Sequence, residues 1–147
     1  MINKIMTGLM GIVAAGMLTL ATVQSVPWYR YIQEPTIINT ETYYSPGDEL
    51  DVKFTRISLI NTQARAVREL VRVDMDGNEW EVSRVTTWLD IDRGARVITT
   101  NWHIPHVEEC PNMKPNTYLW RGSITYKPFG MLEKTVKFTT NTFHIKY

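Results

Sequence analysis

Residues 116–126 read NTYLWRGSITY, and their side chains alternate. Tyr118, Trp120, Gly122, Ile124 and Tyr126 share one parity, while Leu119, Arg121, Ser123 and Thr125 share the other. Neighbouring side chains of an extended strand point to opposite faces, so this period describes a strand with one face in a core. The same signature recurs along the chain. Leu50, Val52 and Phe54 alternate with Asp51, Lys53 and Thr55 after the turn Ser45-Pro46-Gly47-Asp48. In ELVRVDMDGNEWEV, Val71, Val73 and Met75 share a parity, Asp76-Gly77 marks a turn, and Trp80 and Val82 resume the apolar face. That is a hairpin signal. ARVITTNWHI supplies a further strand, with Ile98, Trp102 and Ile104 on one side. In TVKFTTNTFHI the apolar parity changes between Phe138 and Phe143, which predicts a bulge or break near Thr140-Asn141. An early strand is expected over residues 36–43. TQARAVREL also fits a helical spacing through Ala64, Val67 and Leu70, and is read as strand or loop.

The N-terminus is different. Residues 5–29 carry no charge, and IMTGLMGIVAAGMLTLATV is almost wholly apolar or small. As a helix this run spans roughly 37 Å, enough for a bilayer core of ~30 Å. Two readings compete. Lys4 gives the short positive region of a cleavable signal peptide, with Val23-Gln24-Ser25 as the best cleavage pattern. The run is longer than a usual signal core, however, and Trp28, Tyr29 and Tyr31 around Arg30 form an interfacial aromatic belt at the expected depth. Retention is favoured. The chain then divides into a signal anchor or transmembrane helix over 1–29, a juxtamembrane linker over 30–35, and an extracytoplasmic domain over 36–147. Residues 5–29 would contact the lipid bilayer of a bacterial inner membrane, with the domain in the periplasm. Cleavage would instead release a secreted domain.

Charge and cysteine content narrow the function. Beyond Lys4, basic and acidic residues balance at 15 each, without the basic excess of a nucleic-acid binder. The single cysteine, Cys110, excludes an internal disulfide, so the domain depends on its apolar core. No Gly-x-Ser-x-Gly, glycine-rich phosphate loop or His-Glu-x-x-His occurs, so no catalytic residue and no cofactor is expected. HIPHVEEC gathers His103, His106, Glu108, Glu109 and Cys110. Pro105 breaks any helix there, and His103 and His106 have opposite strand parity, so a solvated loop is preferred over a metal site. Asp90 and Asp92 lack the later ligands of a calcium loop and read as a polar turn before Gly94. The many aromatic residues are assigned chiefly to the core, with glycan or peptide binding as the competing use.

The Pro115-x-x-Tyr118 entry into an alternating strand resembles the penultimate strand of immunoglobulin-like and fibronectin-type-III-like sandwiches. Six or seven strands at short spacing describe an antiparallel β-sandwich, and the resemblance makes it Ig-like; with the apolar run, the chain reads as an all-β, antiparallel Ig-like β-sandwich of about seven strands behind one N-terminal transmembrane helix. The resemblance also implies that Tyr118 is a tyrosine corner, with Trp120 in the core beside it. The layout as a whole resembles small membrane-anchored proteins that recur in tailed-phage genomes and prophages. The residues that carry the likeness are Pro46-Gly47, Asp76-Gly77, Pro115 to Tyr118, Tyr126-Lys127-Pro128 and Phe143-His144-Ile145. Many such proteins carry cysteines that this chain lacks. The likeness implies a non-catalytic interaction module whose partner is an unidentified envelope or phage protein. The alternative is an envelope glycan-binding or metal-binding protein.

Overall fold

The computed structural model describes residues 2–38 and 41–147, with side chains from Met6 onward. The apolar run forms α1 (Ile2–Ser25), which stops just before Pro27. Within it, Met6–Ser25 spans 20 residues at mean hydropathy 1.8, and only 6% of that window is buried. This helix is long and apolar enough to cross a membrane, by the same measure that a signal sequence meets.

The rest of the described chain is strands and loops, apart from one 3-10 turn at Pro128–Gly130. Its strands are β1 (Tyr29–Ile37), β2 (Glu49–Ser58), β3 (Thr62–Val73), β4 (Glu79–Ile91), β5 (Gly94–His103), β6 (Asn116–Tyr126), β7 (Lys134–Thr139) and β8 (Phe143–Ile145). They build two antiparallel sheets, a smaller one in the order β1-β2-β5 and a larger one in the order β4-β3-β6-β7. β8 pairs with the start of β6, beyond the end of β7. The sheets form a sandwich. Even-numbered residues of β2, β5, β3 and β6 face inward, because Leu50, Val52, Trp102, Leu70, Tyr118, Trp120 and Ile124 are all buried. Two clusters fill the interior. The larger holds Leu50, Val52, Leu70, Trp102, Trp120 and Phe138; the smaller holds Tyr29, Ala64, Ala66, Ile91, Ile124 and Tyr126.

Several expectations need correction. Residues 30–35 are not a linker but the middle of β1, paired with β2 from Tyr29↔Ser58 onward. The early strand therefore begins before Thr36 and ends at Ile37; residues 39 and 40 of the expected 36–43 strand lie outside the described residues. Tyr29 and Tyr31 are not a membrane belt. Tyr29 is buried, and Tyr31 stands edge-on to Phe54 and Phe138 at 5.6 and 5.8 Å. An amphipathic ring suits either setting, and pairing with β2 turned these two inward. TQARAVREL is strand throughout, within β3. Asp90 belongs to β4, so the turn before Gly94 is confined to Asp92 and Arg93. Among the described residues the strands number eight, because the break at Thr140-Asn141 divides the last segment into β7 and β8.

Two residues pin the centre of the larger sheet. The Tyr118 hydroxyl donates to the Lys114 carbonyl at 2.6 Å and accepts from the Lys114 N–H at 3.1 Å, tying the entry loop to the strand as a tyrosine corner does. Gly122 sits opposite Phe138, and a Cβ there would come within 2.1 Å of the Val67 carbonyl and 2.7 Å of the Phe138 ring. Glycine lets that ring lie against the backbone. Tyr118→Phe should cost about 1–3 kcal/mol, since it leaves the partly buried Lys114 backbone groups without their partner. Gly122→Ala should cost a similar ~1–3 kcal/mol through overpacking against backbone that has nowhere to move. Urea unfolding of the full chain in neutral detergent measures both; wild-type midpoints would contradict these roles.

Candidate functional site: a cleft between the edge strands

Arginine interrupts the inward row of two strands. On β2 the row is Leu50, Val52, Phe54, Arg56 and Ser58; on β3 it is Ala64, Ala66, Arg68 and Leu70. At the level of these arginines the larger cluster stops and the smaller has not begun. The gap is a cleft of about 310 Å³ whose walls come from both clusters. Tyr29 and Tyr31 of β1 line it, as do Phe54, Ile98 and Trp102 of the smaller sheet. On the other side stand Ala66 and Arg68 of β3 with Thr87, Leu89 and Ile91 of β4. Short side chains at Ala66, Thr87 and Thr100 leave the space unfilled. The cleft also has an open flank, because β4 is an edge strand facing a sheet of only three strands, and Ile91 alone of its 13 residues is buried.

The electrostatics are unusual for an interior. Arg68 is half-buried, with its guanidinium carbon 4.9 Å from the Trp102 ring centroid. Arg56 is 6% exposed, donates Nη1 to the Asp92 carbonyl at 3.0 Å and lies 6.0 Å from the Tyr29 ring centroid. Among the described residues neither has a carboxylate within 4.0 Å. Burial pushes the Arg68 pKa down, although a guanidinium remains charged at neutral pH. Asp90 borders the cleft, but its Oδ1 accepts from Gln63 Nε2 at 3.0 Å on the outer face. Burial raises the pKa of Tyr29, and burial followed by the neighbouring Tyr29 raises that of Tyr31. The Tyr126 hydroxyl accepts the Tyr29 N–H at 3.1 Å, and burial raises its pKa as well. The walls hold no histidine, cysteine, lysine or glutamate. Such a lining suits recognition of an anion with an apolar body better than proton transfer.

The sequence-derived candidates fall elsewhere or into supporting roles. Trp28 is half-buried at the end of α1, where its indole N–H donates to the Val23 carbonyl at 2.9 Å and its ring meets Phe129 edge-on at 5.1 Å. Lys134 of β7 donates to the carbonyls of Gln24 and Val26, the latter at 2.8 Å. Helix-end carbonyls that lack intrahelical partners are met in this way by the sandwich itself. Trp120 is buried, edge-on to Trp102 at 5.9 Å. His103 and His106 do not point apart as strand parity predicts: β5 ends at His103, regular strand pairing does not continue to His106, and the two rings lie 5.3 Å apart. The His106 ring also packs on Gly47, within 2.5 Å of where a Cβ would stand. Cys110 is buried, with its thiol 3.7 Å from the Val82 carbonyl. Among the described residues no three His, Cys, Asp or Glu side chains converge to hold a metal ion. Trp80 and Trp88 are exposed on β4, at 54% and 72%. The arginines of the cleft escaped the sequence reading, although their signal was present: each occupies the core parity of its strand.

No protein-family model matches the chain, and no curated protein matches it. Solved structures show distant similarity. The C-terminal domain of Wzt aligns with a TM-score of 0.48 and 9% identity over 82% of this chain and 74% of that one. The Pseudomonas fluorescens alkylpurine DNA glycosylase AlkC, bound to DNA with an abasic-site analogue, aligns at 0.43 and 12% identity over 88% of this chain. The Bacillus subtilis sporulation control protein Spo0M aligns at 0.38 and 12% identity over 83%. This chain spans 33% of the AlkC chain and 51% of the Spo0M chain.

The buried tyrosines give the site a pH signature. Their folded pKa values exceed that of a free tyrosine, so the folded state holds protons that the unfolded chain gives up. Their stabilisation is complete below a pH of about 10 and is lost as the pH rises further. Denaturant melts of wild type should therefore weaken with rising alkalinity, and Tyr31→Phe should show a shallower decline. Identical slopes would rule out the burial-raised titration.

Proposed function

We propose that this protein is a non-catalytic, membrane-anchored interaction module. Its sandwich stands in the periplasm of a bacterial cell, and the β4–β5 cleft is its recognition surface. The observation that carries this reading is the junction between α1 and β1. Only residues 26–28 separate them, and the sandwich engages the last turn of the helix directly. Val23 is buried, its carbonyl accepts from Trp28, and Lys134 reaches the carbonyls of Gln24 and Val26. Cleavage near Ser25 would remove partners that the folded domain uses, which supports retention over a signal-peptide role. The chemistry of the cleft walls supports binding without catalysis.

The proposal extends to a phage or prophage origin, through the likeness in turn residues and strand pattern. Lysis, immunity or virion genes on either side of the coding sequence would support that extension, and housekeeping neighbours would count against it.

Carbonate extraction of membranes from expressing cells tests the anchor. The chain should stay in the pellet with residues 1–25 attached, as read by mass spectrometry of the intact protein. Recovery in the soluble fraction with a new N-terminus near Ser25 would replace the anchored module by a secreted one.

A further inference from the structure

A buried charge is normally found with its partner. The outer face of the larger sheet follows that rule: Glu69 accepts from Arg84 at 2.5 Å and from Arg121 at 2.8 Å, and Arg121 also reaches Glu79 at 2.7 Å. Inside the same sandwich two arginines have no carboxylate partner among the described residues: Arg56, buried and bonded to the Asp92 carbonyl, and Arg68, half-buried. The Arg68 side chain has no hydrogen bond or ion pair among the described residues, only the Trp102 ring. A methionine of similar length would fill its place without the desolvation cost, so the fold alone does not account for a cation there. Both arginines border one open cleft, and its only acid, Asp90, is engaged by Gln63.

We propose that the cleft binds a single oxyanion, a carboxylate or phosphate group, carried on an apolar body about the size of one residue. Arg68 is the principal donor and Arg56 the second. The planar guanidinium matches both oxyanions and forms charge-assisted hydrogen bonds that strengthen where water is excluded. The Trp102 ring already packs on the Arg68 guanidinium, whose N–H groups have no hydrogen-bond partner among the described residues and would meet the ligand. The apolar part has Tyr31, Phe54, Leu89 and Ile98 to lie against. The volume of about 310 Å³ is at the small end of ligand pockets and holds one such group rather than a length of polymer. Two sources carry this chemistry. One is a soluble organic anion. The other is the headgroup of an anionic lipid, because Tyr29 lines the cleft and begins β1 just past the end of α1. The inference rests on the cleft being the recognition surface, and not on the anchor being retained.

Saturation-transfer NMR on the full chain in neutral detergent, with benzoate, phenyl phosphate and uncharged benzamide as probes, tests it. Benzoate or phenyl phosphate should bind saturably and benzamide should not. Arg68→Met should weaken binding at least about tenfold while leaving the melting temperature equal to or above that of wild type. Leu89→Trp keeps both arginines and fills the cleft, so it should abolish binding even if Arg68→Met fails to fold. Nanodiscs of phosphatidylglycerol should displace the probe, relative to phosphatidylcholine, if the natural source is lipid; undiminished probe binding there assigns a soluble anion. The proposal falls if neither anionic probe binds, if benzamide binds as well as benzoate, or if Leu89→Trp binds like wild type. Loss of the anchor in carbonate extraction would leave these results unchanged, so the two readings fail separately.

Discussion

Trp102 and Trp120 meet edge to face at 5.9 Å, and the sandwich closes around that contact. Trp102 stands on β5, the edge of the smaller sheet, and Trp120 on β6, inside the larger one. Phe138 lies 5.8 Å from Trp102 and from Tyr31, so one aromatic row links β5, β7 and β1 across the interior. With Cys110 the single cysteine, no disulfide joins the sheets, and large side chains must supply the burial that a bridge would otherwise supplement. Gly122 is part of the same solution. Only a residue without a Cβ lets the Phe138 ring settle against β6 beside Trp120.

Trp102 also ties the core to the cleft. Its neighbour on one side is Trp120 and on another the Arg68 guanidinium, so the residue that joins the sheets also holds the cation that divides the core. A continuous apolar row at Arg56 and Arg68 would merge the two clusters and close the space. The molecule instead carries two poorly compensated charges and an edge strand, β4, that is almost entirely solvent-exposed. Weak packing of this kind is common where a protein reserves surface for a ligand, because a site already filled by its own side chains has nothing to offer.

The helix junction adjoins the smaller cluster, through Trp28 and Tyr29. A helix terminus leaves carbonyls without partners, and here Trp28 and Lys134 supply donors from the sandwich side. Helix and domain are therefore coupled by polar contacts to the backbone rather than by a slack tether. Trp28 fills this role through the same duality that suits it to a membrane interface, an apolar ring with one polar N–H.

The sequence by itself determined the strands, most of the turns and the apolar helix. These depend on local periodicity: alternation at Leu50, Val52 and Phe54 or from Tyr118 to Tyr126 is readable wherever one face is buried. Even the break at Thr140-Asn141 shows as a change of parity. Tertiary structure decided what periodicity cannot encode. Pairing with β2 made β1 out of residues that resemble a linker, and it turned Tyr29 and Tyr31 from an apparent membrane belt into cleft walls. The end of β5 at His103 let the rings of His103 and His106 come together, which strand parity sends apart. The cleft itself exists because Arg56 and Arg68 lie on different sheets, 12 positions apart in the chain, and share one level of the interior only after the sheets stack. Period-2 alternation fixes which face of a strand a residue takes; which residues then meet across two sheets depends on register and stacking, and those are set by long-range contacts.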